Sequence, residues 1–78
     1  MITTIILDSG PLALVTQRKG VPSADTCKAW LAEHLSNGTR IVVPEIADYE
    51  VRRELLRAGK TSSVARLDAF IAAVPDRY

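Results

Sequence analysis

Several features that would narrow the class of this protein are scarce or missing from its sequence. Cys27 is the single cysteine, which excludes an intramolecular disulfide. Its place on an apolar helical stripe predicts a buried, inert thiol. No apolar run approaches the roughly 20 residues of a membrane span, and residues 1–7 are too short for the core of a signal peptide. We therefore expect a cytoplasmic chain that makes no contact with a membrane.

A strong charge is also missing, because the net charge is only +1. There is thus no global electrostatic case for nucleic-acid binding. A local basic cluster exists, and we interpret it as a solvated helix face rather than a dedicated groove. Its members are Arg52, Arg53, Arg57, Lys60 and Arg66. With 47% apolar and 24% charged residues in 78 positions, the composition is that of one small globular domain.

The apolar pattern predicts two strands and four helices, in the order strand, two helices, strand, two helices. The strands are residues 2–7 and 41–43, and the helices are 11–17, 23–37, 44–59 and 61–75. Strands that are each followed by helices indicate an α/β fold with a parallel sheet, and the first strand is apolar enough to be buried on both faces. Two strands are a narrow sheet for four helices. We therefore expect residues 1–78 to be the N-terminal portion of a single domain, or to complete their core with a partner.

Asp8 is the first candidate for chemistry, because it directly follows the first strand. In open parallel sheets, ligands bind beyond the carboxyl ends of the strands. A carboxylate at that edge suits a hard cation such as Mg²⁺, which prefers oxygen ligands and keeps several waters. The competing interpretation is that Asp8, or Ser9 beside it, only caps the following helix.

Glu50 is the second candidate, about two turns into the helix after the second strand. It is too far along that helix to be explained by the helix dipole. The competing interpretation is a surface ion pair with Arg53. If the two strands are adjacent and parallel, Glu50 faces Asp8 across one crevice. Two acids and a divalent ion can orient a phosphodiester and activate a water for attack.

Two segments make the prediction more specific. Residues 5–12 (IILDSGPL) and 42–55 (VVPEIADYEVRREL) resemble the first two signature regions of PIN domains, the fold of many bacterial toxin ribonucleases of toxin–antitoxin pairs. The resemblance implies a three-layer α/β/α fold and a Mg²⁺- or Mn²⁺-dependent endoribonuclease that cleaves RNA. It assigns Asp8 and Glu50 as catalytic metal ligands and Ser9 as a supporting residue. The implied protein partners are an antitoxin or a second copy in a homodimer.

The chain departs from the family pattern beyond the fourth helix, where the family supplies its remaining acids. Only Asp76 follows that helix, and Asp68 lies within it, so we assign neither as a ligand. We therefore expect a truncated enzyme whose catalytic site is incomplete. The alternative is a non-catalytic, degenerate PIN module that binds an antitoxin or associates with itself. A haloacid-dehalogenase-like phosphatase is disfavoured because Gly10 stands where that family has a second Asp.

Overall fold

A computed structural model of the chain describes the backbone of residues 4–74 and 76–77 and the side chains of residues 4–74. Its elements are β1 (Thr4–Ile6), α1 (Ser9–Val15), α2 (Pro22–Ser36), β2 (Arg40–Val43), α3 (Glu45–Arg57), α4 (Thr61–Ala73) and β3 (Asp76–Arg77). The strands form a parallel sheet in the order β1-β2-β3. The predicted mixed α/β class with a parallel sheet is confirmed. The two-residue strand β3 was not predicted, because so short a strand has no apolar pattern.

The two longer strands differ in burial, although both are apolar in sequence. Ile5 pairs with Ile41 and faces the core, whereas Ile6 pairs with Val42 on the opposite face of the sheet. Every apolar residue of β2 is buried, but the Ile6 side chain is 63% exposed. The prediction that the first strand is buried on both faces is therefore wrong. β1 lies at the edge of the sheet, and one of its faces is open to solvent.

The core lies between the helices and the sheet face that carries Ile5. Helix α1 is central to it, because α1 contacts α2, α3 and α4. Leu12 of α1 is fully buried, and Leu67 of α4 is equally inaccessible. The other core residues are Leu7, Val15, Leu31, Ile41, Val43, Ala47, Val51, Leu55, Ile71 and Val74. The helical faces inferred from apolar spacing thus meet in one cluster.

Two helices begin earlier than predicted. Helix α1 starts at Ser9, so Pro11 is its third residue rather than its first. The first N–H groups of a helix have no partner within the helix, so a proline there loses no hydrogen bond. Helix α2 starts at Pro22, one residue before the predicted start, and Val21 occupies its N-cap. Helix α4 starts at Thr61, with Lys60 at its N-cap and no side-chain cap hydrogen bond.

Glycine ends two of the helices, as the sequence predicts. Gly59 has a φ of 69°, and its N–H donates to the Leu56 carbonyl oxygen over 3.1 Å. The Lys60 N–H then donates to the Leu55 carbonyl oxygen over 2.9 Å. This pair of bonds is a Schellman motif, which needs the left-handed backbone that glycine adopts easily. Gly38, with a φ of 78°, ends α2 by the same pattern.

Cys27 differs from its predicted state, because its side chain is half-buried rather than buried. It packs against the edge of the core, with its sulfur 3.9 Å from the Pro11 carbonyl oxygen. Across the described part of the chain, none of the helices combines the length and apolarity that a membrane span requires.

Candidate functional site

The sheet topology brings the two predicted acids to the same side of the molecule. β1 and β2 are parallel neighbours, so Asp8 after β1 and helix α3 after β2 start from the same edge of the sheet. The Leu7 N–H donates to the Val42 carbonyl oxygen over 2.9 Å, which extends the pairing to the residue before Asp8. The strand-end position predicted for Asp8 is thus the one it occupies.

A cleft of about 280 Å³ lies between α1 and α3. Ser9 and Glu50 both line it, so the structure brings these two predicted residues together. Asp8 precedes Ser9 directly and is exposed beside the cleft, but it is not part of the lining. The remaining lining residues are Gly10, Ala13, Thr16, Gln17, Val51, Glu54 and Leu55.

The Asp8 carboxylate is not used to cap helix α1. Asp8 occupies the N-cap position with extended backbone, and its carbonyl oxygen accepts the Leu12 N–H over 3.1 Å. Its side chain makes no cap hydrogen bond, and it has no ion pair with any described residue. The competing interpretation of Asp8 as a helix-capping side chain therefore does not apply.

The Glu50 carboxylate is likewise not engaged in an ion pair with any residue that the structure describes. Its side chain is exposed at the wall of the cleft. The alternative prediction was an ion pair between Glu50 and Arg53, and no such pair is present among residues 4–74. The solvated Glu50 carboxylate thus shares the cleft with Ser9, and the Asp8 carboxylate is exposed next to Ser9 in the chain.

Two acids on the α4 side of helix α3 are neutralised by one arginine. Arg52 contacts the Asp48 carboxylate at 3.1 Å within α3 and the Asp68 carboxylate of α4 at 2.7 Å. The hydrogen bond to Asp68 is the main cause that raises the pKa of Arg52 above its usual value, and the charge and hydrogen bond of Asp48 add to it against partial burial. These acids therefore support the packing of α4 on α3.

Glu54 is an acid of the cleft to which the sequence analysis gave no role. It lies one turn after Glu50 and lines the same cleft, but its carboxylate contacts Arg57 at 3.2 Å. The four-residue spacing from Glu50 is the signal that could have placed it there, because residues i and i+4 share a helix face.

The predicted basic cluster is divided among different roles. Arg53, Arg57 and Lys60 are exposed, as expected for a solvated face. Arg66 does not belong to that face, because its Nε donates to the Thr16 carbonyl oxygen over 2.7 Å and a second nitrogen donates to the Ser63 hydroxyl over 3.1 Å. Arg66 thereby ties α4 to the end of α1.

His34 has a structural role in the last turns of α2. Its Nδ1 lies 3.2 Å from the Thr39 hydroxyl, and its ring meets the Trp30 ring edge-on at 4.5 Å between centroids. Both contacts fasten the last turns of α2 to each other and to the start of β2.

The cleft is lined by the Glu50 and Glu54 carboxylates and the Ser9 hydroxyl, and Asp8 is exposed beside it. Ions such as Mg²⁺ take one or two carboxylates, keep several waters and bind substrate phosphates. Within residues 4–74 and 76–77, no group of three or more His, Cys, Asp or Glu side chains is placed to hold a metal. Asp68 is paired with Arg52, and the side chain of Asp76 lies outside the described residues. Asp8 and Glu50 are the two acids near the cleft that have no arginine partner among the described residues.

No protein-family model matches the chain, and no match is found among curated proteins or among solved structures. The chemistry of the cleft and the resemblance in sequence are therefore the basis on which a function can be proposed.

Proposed function

We propose that this chain carries a PIN-like, metal-dependent endoribonuclease site that hydrolyses RNA phosphodiesters, within the three-layer α/β/α fold of that family. The supporting observation is that Ser9 and Glu50 line one cleft, with Asp8 adjacent to Ser9. Both carboxylates lack hydrogen-bonding and ion-pairing partners among the described residues.

The roles follow from the chemistry of the side chains. Asp8 and Glu50 hold a Mg²⁺ or Mn²⁺ ion, and the Ser9 hydroxyl supports the site by hydrogen bonding. When bound, the cation polarises a phosphate oxygen and lowers the pKa of a coordinated water. A carboxylate that already accepted a hydrogen bond or paired with an arginine would have to lose that partner before it could bind a cation. The absence of such partners for these two acids among residues 4–74 favours their availability.

The cleft has an apolar floor that lies between its carboxylates and the core. Ala13 of α1 and Val51 and Leu55 of α3 form its apolar floor, and the latter two are buried. This floor is continuous with the packing between α1 and α3. The position of Glu50 relative to Ser9 is therefore fixed by two packed helices rather than by a flexible loop, which favours a preorganised site.

The test is RNA cleavage by the 78-residue chain with and without Mn²⁺. Asp8→Asn and Glu50→Gln remove one charge each without changing side-chain shape. Each should reduce metal-dependent cleavage by about 100-fold or more, since metal ligands contribute directly to the transition state. Glu45→Gln is the matched control, because Glu45 is an exposed acid of the same helix and lies outside the cleft. Equal cleavage by all four proteins would remove both residues from the mechanism.

A second candidate function is a non-catalytic PIN module that pairs with an antitoxin or with itself. The observation that favours it is an exposed apolar surface on α3, where Ile46, Tyr49 and Leu56 are each at least 60% exposed. Calorimetry with Mn²⁺ separates the two functions. Binding that requires Asp8, together with cleavage, supports the enzyme. A folded chain that binds no Mn²⁺ and cleaves no RNA supports the module.

A further inference from the structure

The cleft between α1 and α3 has two ends that differ in chemistry. Arg66, in the second turn of α4, donates to the Thr16 carbonyl oxygen over 2.7 Å, so the end of α1 lies close to the place where α4 follows α3. Glu54 is in the last turn of α3, and Gln17 follows the end of α1. Both therefore line the end of the cleft away from the sheet edge, one helical turn beyond Glu50. We call this the far end of the cleft.

Gln17 is held at the far end by its backbone, which leaves its side chain available. Its N–H donates to the Leu14 carbonyl oxygen over 3.1 Å, and its own carbonyl oxygen accepts a hydrogen bond from the Lys28 ammonium group. The half-buried side-chain amide makes no hydrogen bond to another residue in the part of the chain that the structure describes. An amide offers one acceptor and two donors. Gln17 can therefore bind a ligand in the cleft without breaking a contact within the protein.

Glu54 adds a second acceptor at the far end. One of its carboxylate oxygens accepts a hydrogen bond from Arg57 over 3.2 Å, and the other has no partner among residues 4–74. Arg57 also balances the charge of the carboxylate, so a phosphate-bearing ligand is repelled less than it would be by a lone acid. The far end thus presents two acceptors, one on Gln17 and one on Glu54, beside the amide donors of Gln17.

The floor of the cleft is apolar and suits a small ring. It is formed by Ala13 of α1 and by Val51 and Leu55 of α3. The volume of about 280 Å³ lies just below the range of roughly 300–1,000 Å³ that pockets for drug-sized ligands have. Proteins bind an unstacked nucleobase by packing its ring on apolar side chains and hydrogen-bonding its polar edge. An apolar floor that ends in Gln17 and Glu54 offers both kinds of contact.

We propose that the far end of the cleft binds one base of an RNA strand and selects adenine by its exocyclic amino group. This inference rests on the proposed function, in which a phosphate of the same strand is bound at Asp8 and Glu50. The Gln17 amide accepts from the N6 amino group and donates to N7, which is the bidentate pairing that glutamine makes with adenine. The free Glu54 oxygen accepts the second hydrogen of the amino group.

A base with a carbonyl oxygen in place of the amino group is a poor ligand for the far end. Gln17 can rotate its amide and donate to that oxygen, but an ionised Glu54 has no hydrogen to donate. The carboxylate would then face a second acceptor, and such a repulsive contact rejects the wrong ligand. Uracil has carbonyl oxygens and no amino group. In single-stranded RNA the edges of the bases are free to be read in this way.

The test compares adenosine with inosine, which has the same ring system but carries a carbonyl oxygen in place of the amino group. Neither nucleoside has a phosphate, so a titration in metal-free buffer does not depend on the metal site. It is followed by ¹H–¹⁵N NMR spectra of the 78-residue chain, in which the side-chain amide of Gln17 gives its own signals. Adenosine should bind with a Kd of about 1 mM, and inosine should bind about tenfold more weakly.

Two substitutions test which side chains select the base. Gln17→Leu should weaken adenosine binding about tenfold, because it removes the bidentate pairing and keeps an apolar side chain of similar size. Glu54→Gln replaces an acceptor with an amide that can also donate, so inosine should then bind within about threefold of adenosine. Glu33→Gln is the matched control and should keep the wild-type preference, because Glu33 is an exposed acid of α2 outside the cleft. Circular dichroism verifies that each variant is folded.

Three results overturn the proposal: equal affinity of the wild-type chain for adenosine and inosine, no saturable shift up to about 10 mM adenosine, and a preference for adenosine that survives Gln17→Leu. A failure of the proposed reaction looks different. A chain that prefers adenosine through Gln17 but cleaves no RNA with Mn²⁺ supports the base subsite and contradicts the nuclease.

Discussion

Four acids near helix α3 form two contrasting pairs. On the side that packs against α4, Asp48 and Asp68 share Arg52, which bridges the two helices. On the side that faces α1, Glu50 lines the cleft and Asp8 is exposed beside Ser9, and neither has an arginine or lysine partner among the described residues. The difference teaches that an arginine bridge is used where α4 is held against α3. Glu50, by contrast, stays solvated in the cleft, although its neighbour Glu54 pairs with Arg57.

The largest expected effect is on metal binding at the cleft. Asp8→Asn should reduce Mn²⁺ affinity at least about tenfold in calorimetry, because a carboxylate ligand to a hard cation is replaced by a neutral amide. Asp68→Asn is the matched control on the α4 side, because Asp68 is already paired with Arg52. If Asp8→Asn and Asp68→Asn lowered the Mn²⁺ affinity equally, the proposed difference between the cleft acids and the acids on the α4 side would be wrong.

The next effect is on stability, at the contact between α4 and α1. Arg66→Met removes a charged hydrogen bond and leaves the Thr16 carbonyl oxygen without its partner. Thr16 is fully buried, so the free energy of unfolding should fall by about 1–3 kcal/mol. Urea denaturation measures this change. Arg53→Met is the control for loss of an arginine on an exposed surface, and a similar drop there would contradict the structural role of Arg66.

Arg52→Met should have a smaller effect, about 0.5–1 kcal/mol, because its ion pairs are partly exposed. Its pKa is raised by Asp68 and Asp48. A raised pKa means that this stabilisation is fully present below the ordinary pKa of an arginine and is lost only as the pH rises through the higher folded value. Because that pH is strongly alkaline, the ionic contribution of Arg52 is better measured by varying the salt concentration. The difference between wild type and variant should shrink in about 1 M NaCl, and a constant difference would argue against an ionic origin.

Glu54→Gln should have the smallest effect and sharpens the comparison within the cleft. Glu54 lines the cleft with Glu50, but it contacts Arg57 in an exposed pair. We expect a change in unfolding free energy below about 0.5 kcal/mol and little change in Mn²⁺ affinity. A loss of metal affinity as large as that of Glu50→Gln, measured side by side, would make Glu54 a ligand as well.

Local chemistry explains what the sequence predicted correctly. The start of α3 after Pro44 and the glycine-terminated ends of α2 and α3 depend on backbone preferences within a few residues. The parallel pairing of β1 with β2 and the position of Asp8 follow from strand–helix alternation. The resemblance pointed to Ser9 and Glu50, and these two residues line one cleft.

Contacts between distant segments explain what the sequence did not predict. β1 and β2 are similarly apolar, yet Ile6 is exposed because β1 is an edge strand, and strand order is a property of the whole sheet. The pairing of Arg52 with Asp68 depends on how α4 lies on α3. Helical spacing placed Glu54 on the face of Glu50, but the cleft exists only because α1 packs there.

The hydrogen bond from Arg66 to Thr16 also has a consequence for how the chain folds. It joins residues 50 positions apart, so its formation must close a long loop, and we expect it to form late in folding. Interactions that are absent from the transition state change the rate of unfolding and leave the rate of folding nearly unchanged. In stopped-flow measurements, Arg66→Met should therefore unfold faster than the wild type and refold at nearly the same rate. The lifetime of the folded chain then depends on this one guanidinium at the junction of α1 and α4.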